Sequence, residues 1–188
     1  MARYEYFKAS LDQAEGEYQK LEKDKGNYNS LKQLVGTNHG ISARFYEKVI
    51  GQPPTEQDMR SITKLEAHVL FKNEFWDKVR ADEIESQAVA EVIADHAINA
   101  NPRVTAKIVQ RVLNRYFGKS LTVDGAIGFK SIEAINSVNE TKLFERIAQE
   151  RLAYYKRLSD FQYFGKSWTG RVVALGRKFG IEVKKKRM

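Results

Sequence analysis

Along this chain apolar residues recur at three- and four-residue steps almost throughout, the period of an amphipathic helix. Tyr4, Phe7, Leu11 and Ala14 make the first such stripe, and Gly16 ends it. Glu15 follows Leu11 by four residues, so a helix carries its carboxyl at the edge of the apolar face, beside the helix C-terminus. Residues 17–40 break the rhythm: no period is sustained, and Asn, Ser and Gly accumulate. This stretch reads as a long loop or a short irregular hairpin, and a loop of such length within a compact domain is a common carrier of function.

The helical period returns with Ile41–Ile50, which Gly51 and the Pro53-Pro54 pair close. Thr55 with Asp58 has capping-box spacing, as does Thr63 with Glu66, and the second box opens the apolar run Ala67–Trp76. Residues 86–98 place Val89, Val92, Ile93 and His96 on one face. Asn101-Pro102 supplies an N-cap and a first-turn proline to a helix that turns Val104, Ile108, Val112 and Leu113 inward and ends near Gly118. A turn-rich segment, Leu121–Gly128, precedes a short helix to about Asn136. A long helix over about 140–159 and a short one over 167–179 complete the pattern. Strand signals are confined to short pairings near 31–37 and near 121–123. The predicted class is mostly all-α with a minor β-hairpin by the loop. The predicted division is 1–85, then a helical part over 86–180 packed with it as one compact unit, then a basic tail over 181–188.

Composition narrows the chemistry by exclusion. The chain has 188 residues and no cysteine, so disulfides, thiolate metal sites and thiol catalysis are all ruled out. His39, His68 and His96 lack ligand spacing, so neither a metal nor another cofactor is expected. No apolar run is long enough to span a bilayer, so no integral membrane segment is expected. The start of the chain has neither an apolar core nor a cleavage site of the secretory kind. A protein made in the cytoplasm and needing to reach a wall or periplasm would then depend on a holin, on lysis or on a dedicated export system. The formal charge of +8 favours anionic partners: nucleic acid, a membrane surface or a cell wall. The basic residues are scattered among 24 acids rather than striped along one helix, and no nucleic-acid reading motif is present, so nucleic acid is not the expected partner.

Two constellations could carry chemistry. Glu15-Gly16-Glu17-Tyr18 ends the first helix. A glycosidase acid must stay protonated near neutral pH. Partial burial and the negative end of a helix dipole both favour the neutral form of a carboxyl so placed. A glycine after it leaves room for a sugar. Taken alone, a glutamate near a helix end is equally a surface residue. The second constellation is the loop from Asp24-Lys25-Gly26-Asn27-Tyr28-Asn29-Ser30 to Gly36-Thr37-Asn38-His39-Gly40-Ile41. Its amides, hydroxyls and rings suit sugar recognition, and its Asn and Gly residues equally suit turns.

These segments resemble glycoside hydrolase family 108, whose members carry Glu-Gly-Gly-Tyr and then an Asp-Pro-Gly-Gly stretch running into Thr-Asn-Tyr-Gly-Ile. Further segments match in order: Phe75-Trp76-Asp77 to Asp82-Glu83, Asp95 to Asn99, Val123-Asp124-Gly125 to Gly128, residues 150–158, and Phe164 to Val172. The resemblance implies a lysozyme-like N-terminal part and a C-terminal part similar to a predicted peptidoglycan-binding domain. It implies a monomeric N-acetylmuramidase acting on glycan strands of peptidoglycan. Related proteins carry the label of secretion activators, and endolysins of phages or prophages act on the same polymer. The glutamate of the family motif falls on Glu15, the catalytic acid. Phage-type lysozymes space Glu, eight residues, Asp, five residues, Thr; the first gap leads to Asp24, and the second lands on Ser30. Thr37 is the better family match for the threonine. Asp24 is thus the implied base or electrostatic stabiliser and Thr37 the residue that positions water. Tyr18, Asn27, Tyr28, Asn38 and His39 are the implied sugar contacts.

The family pattern is broken at Glu17, which replaces the second glycine of the motif and sets a second carboxylate beside the acid. The Pro-Gly-Gly stretch is also absent, and the segment from Asp24 to Thr37 is longer than usual. A non-catalytic wall-binding or export-associated protein is therefore the competing reading. Outside these segments, Asp95 and His96 read as hydrogen-bonded structural residues, Arg171 as the partner of a carboxylate, and Asp124 as a turn former. Trp76 and Trp168 read as core or subdomain-interface residues.

Overall fold

The computed structural model describes residues 1–14 and 17–183. Glu15 and the basic tail from Lys184 lie outside the described residues. Among the described residues there are nine α-helices and one two-stranded sheet, a mostly α architecture. They cluster into two compact units. One is Glu5–Lys72; the other joins Met1–Tyr4 to the segment from Asn73 onward.

The first unit opens with α1 (Tyr4–Ala14), whose Phe7 and Leu11 are buried. The loop that follows is tied rather than open. Gln19 and Thr37 exchange backbone hydrogen bonds of 2.9 Å in both directions. β1 (Thr37–Asn38) then pairs antiparallel with β2 (Ile41–Ser42). The two residues between them, His39 and Gly40, have φ of 45° and 76°, the doubly left-handed turn that matches strand twist. The hairpin thus lies just beyond the 31–37 segment, where the described structure holds only an isolated bridge between Tyr28 and Leu34 besides the Gln19–Thr37 pairing.

Ser42 caps α2 (Ala43–Ile50), so the first residues of the expected Ile41–Ile50 helix are strand instead. Thr55 and Thr63 cap α3 (Glu56–Ser61) and α4 (Lys64–Phe71), each with the reciprocal carboxylate bond of a capping box. The Asn38 side chain donates to the carbonyls of Met59, Arg60 and Ile62, which satisfies the otherwise bare end of α3.

The second unit is a helical bundle. α5 (Gln87–Ala100), α6 (Pro102–Phe117) and α8 (Glu140–Lys156) pack on one another, α7 (Phe129–Asn136) packs on α6 and α8, and α9 (Phe161–Lys178) packs on α8. The inward positions expected on α5 are buried, Val92 and Ile93 completely so, and α8 buries Phe144 and Ile147 completely. On α6, Ile108, Val112 and Leu113 are buried as well. No strand forms at 121–123. Both backbone groups of Leu121 are taken by the Asn114 amide at 2.8 Å, and Asp124 folds back to accept from Gln110 and Ala126. α9 starts six residues earlier than 167 and runs through Gly165, where a Cβ would stand 2.7 Å from the Phe161 ring.

Ionic residues sit inside this bundle. Asp95 receives Arg151 and Arg171, each at 2.6 Å. The two guanidiniums outweigh burial and hold its carboxyl below the usual range. His96 is fully buried, with Nδ1 2.9 Å from the Thr105 hydroxyl. That hydroxyl itself donates to the Asn101 carbonyl, so Nδ1 carries the proton and Nε2, which has no partner, is the bare nitrogen. Burial, helped by the nearby Arg151 charge, pushes the imidazole well below its ordinary value. Asp95, His96, Arg171 and Asp124 thus all take structural partners. Trp76 is buried completely, its indole N–H on Asp82.

Candidate active site

The first unit carries a groove of about 220 Å³ beside the end of α1. Leu11, Ala67 and Phe71 supply its apolar lining, and Asp12, Glu17, His39, Lys64 and His68 its polar one. Asp12 and Glu17 stand three before and two after Glu15 in the chain. The Asp12 carboxylate bridges His68 Nε2 at 2.8 Å and Lys64 Nζ at 2.9 Å. The hydrogen bond from Lys64 holds its carboxyl below the usual range against partial desolvation, and His68 adds to the effect. Neither Asp12 nor His68 stands out in the sequence as part of a site. They are 56 residues apart, and nothing local announces a pair made by tertiary contact.

The loop after α1 is organised by Asn27. It is fully buried, and its four side-chain hydrogen bonds are internal. Oδ1 accepts from the Thr37 hydroxyl at 2.5 Å and from Gln19 at 3.1 Å. Nδ2 donates to Gln19 and to the Leu21 carbonyl. Its backbone N–H bonds to the Asp24 carbonyl and its carbonyl to Val35 and Gly36. Asp24 caps the short 3-10 turn Lys25–Asn27, with Oδ1 accepting from Gly26 at 2.8 Å. Asp24 and Thr37 are therefore joined through Asn27. Gly36 has φ of 92°, and a Cβ on it would lie 2.7 Å from the Gln19 carbonyl and 2.8 Å from the Tyr18 ring. Only a glycine permits that approach.

The structure distributes the expected sugar contacts unevenly. His39 lines the groove with Glu17. Tyr18 is half-buried: its hydroxyl donates to the Val35 carbonyl, and the Arg60 guanidinium lies 3.8 Å above its ring. Burial, with the neighbouring Glu56, pushes its phenol up. Glu56 itself is lowered to about 2 by hydrogen bonds from Lys20 and Arg60. Tyr28 lines a different groove, with Lys25, Arg44 and Lys48. Asn27 and Asn38 are buried with their amides spent on the protein, so as placed they shape the loop rather than present a surface. Among the described residues no cluster of histidines and carboxylates could hold a metal ion, and no helix is long and apolar enough to cross a membrane.

Residues 9–100 match the glycosyl hydrolase 108 family, and residues 104–172 match the predicted peptidoglycan domain. No curated protein matches the chain. Among solved structures, SagA of Brucella abortus is similar, with a TM-score of 0.80 at 24% identity over 99% of this chain and 100% of that one. At that identity the likeness speaks for the fold, which is mostly α and lysozyme-like. The two domains together mark a protein that hydrolyses or binds peptidoglycan. The chain thus carries a glycosyl hydrolase 108 domain followed by a predicted peptidoglycan domain.

Proposed function

We propose that the chain is an N-acetylmuramidase that cleaves the β-1,4 bond between N-acetylmuramic acid and N-acetylglucosamine, with Glu15 as general acid. The observation that carries this reading is the groove at the end of α1. Its lining includes Asp12 and Glu17, the residues on either side of Glu15 in the chain, and it falls inside the segment that matches a glycosidase family.

The loop supports a second half of the chemistry. Thr37 gives its own hydroxyl proton to Asn27, so its oxygen is left to accept. A hydroxyl that accepts from a water turns that water's lone pair outward, the orientation that attack on an anomeric carbon requires. Asp24, joined to Thr37 through Asn27, retains Oδ2 without a hydrogen bond in the described structure and acts as the base or as a stabiliser of positive charge. Glu17 adds a negative charge at the groove. A like charge near a carboxyl raises its pKa, which favours the protonated acid.

Glu15→Gln should reduce clearing of a peptidoglycan suspension by about 100-fold or more, the scale of a lost general acid. Its melting temperature should stay near that of the parent. Equal clearing by the two proteins would remove Glu15 from the chemistry. One observation favours the competing reading of a non-catalytic wall binder, namely Glu17 in the glycosidase motif. A binder would sediment with walls and release no new reducing ends.

A further inference from the structure

The second unit carries a groove of about 610 Å³ along α6 and the end of α8. Its volume is that of a site for a small ligand or a short peptide. Arg111 and Arg115 lie one helical turn apart on α6, and Arg157 closes the C-terminus of α8. All three are exposed, and none has a carboxylate partner among the described residues. Other arginines of the chain do have one: Arg60 is held by Glu56, Arg80 by Glu83, and Arg151 and Arg171 by Asp95. The carboxylate in the groove lining, Glu150, receives the Tyr116 hydroxyl at 3.3 Å. Tyr116 is held in turn by Arg146, whose guanidinium is 4.6 Å from the ring centroid. Ile108 and Val112 add apolar surface below.

We infer that this groove binds the peptide stems of peptidoglycan through their free carboxylates. A guanidinium presents a planar fork of donors that fits a carboxylate two bonds at a time. Three such forks over apolar side chains suit a short peptide with methyl side groups and several free carboxylates. A polyol phosphate would have no use for the apolar floor. The inference rests on the reading of the chain as a protein that meets peptidoglycan, and it is separate from the bond cleaved. It gives the second unit a definite task, which is to hold the cross-linking peptide.

The test uses the full chain with Glu15→Gln, so that walls are not digested during the measurement. Binding to insoluble peptidoglycan is read by sedimentation, with a synthetic alanine- and glutamate-containing stem peptide as competitor. Arg111→Gln, Arg115→Gln and Arg157→Gln together should weaken binding by about 10- to 100-fold, the scale of lost charge-assisted bonds. A charge-matched variant of three exposed lysines of the same unit, Lys130→Gln, Lys142→Gln and Lys166→Gln, should bind within about twofold of the parent, as exposed charges contribute little. The free-acid peptide should displace the protein, and the same peptide with amidated carboxylates should not. Equal losses from the two triple variants would make net charge the whole effect and overturn the inference. So would displacement by inorganic phosphate at matched ionic strength but not by the acid peptide, or unchanged binding by the arginine variant. Muropeptide release by the parent protein, measured in parallel, tests the muramidase reading by itself, which separates the two failures.

Discussion

Asn27 is the residue on which the candidate site depends most. Four side-chain hydrogen bonds converge on it, and Thr37 and Gln19 both rely on its Oδ1. Asn27→Ala leaves several buried polar groups unpaired, which costs roughly 2–4 kcal/mol. Calorimetry should show the melting temperature falling by roughly 5–10 °C, with activity lost as well. Thr37→Val separates the two effects. Asn27 keeps its Gln19 contacts, so stability should drop by about 1 kcal/mol, while turnover falls without a matching rise in KM. If Thr37→Val turns over like the parent, Thr37 does not orient the water. The importance of Asn27 was legible as a loop amide and no further. An asparagine among glycines reads as a turn or as a sugar contact, and it is the burial of its side chain, a tertiary property, that decides.

His96 gives the residue scale its pH dependence. Its folded pKa is depressed by burial and by Arg151, so the unfolded chain binds a proton that the folded one refuses. Stability is therefore lost as pH falls below the unfolded value of about 6.5, by up to about 1.4 kcal/mol per pH unit. Asp95 acts later. Its carboxyl is lowered, so its contribution persists until pH passes below the ordinary range near about 3.9. Denaturant titrations at stepped pH should show the first slope, and His96→Gln should flatten it. An unchanged slope would mean that another group takes up the proton.

At the scale of elements, the helices were legible because their signals are local. Thr55, Thr63 and Asn101 sit where caps are found, and each side chain bonds its helix as expected. The stop at Gly118 and the start at Pro102 are of the same kind. The start of α9 was not legible, since its first turn packs the Phe161 ring against Gly165, a contact that no local signal announces. The ion cluster of α5, α8 and α9 was legible in kind but not in membership. A carboxylate on an apolar helix needs a partner, yet Arg151 and Arg171 are 56 and 76 residues away. Asp95→Asn leaves the fully buried Arg151 guanidinium without its carboxylate, and removing one partner of a buried pair costs roughly 3–5 kcal/mol. The expected result is a markedly lower denaturation midpoint for the second unit. A loss below about 1 kcal/mol would mean that the cluster is solvated in solution.

For the whole molecule, the order of domains and the charge together make the account. The glycosyl hydrolase 108 domain carries the groove by α1, and the predicted peptidoglycan domain carries the arginine groove. The charge of +8 suits an anionic polymer and does not choose among such polymers. What bears on that choice is the groove by α1, lined by Asp12, Glu17, His39, Lys64 and His68, read together with the family pattern. The most direct test is mass analysis of the soluble fragments released from purified peptidoglycan by the parent protein and by Glu15→Gln. The account predicts disaccharide-peptide fragments ending in a reducing N-acetylmuramic acid from the parent and essentially none from the variant. Fragments ending in reducing N-acetylglucosamine, or equal release by both proteins, would contradict it.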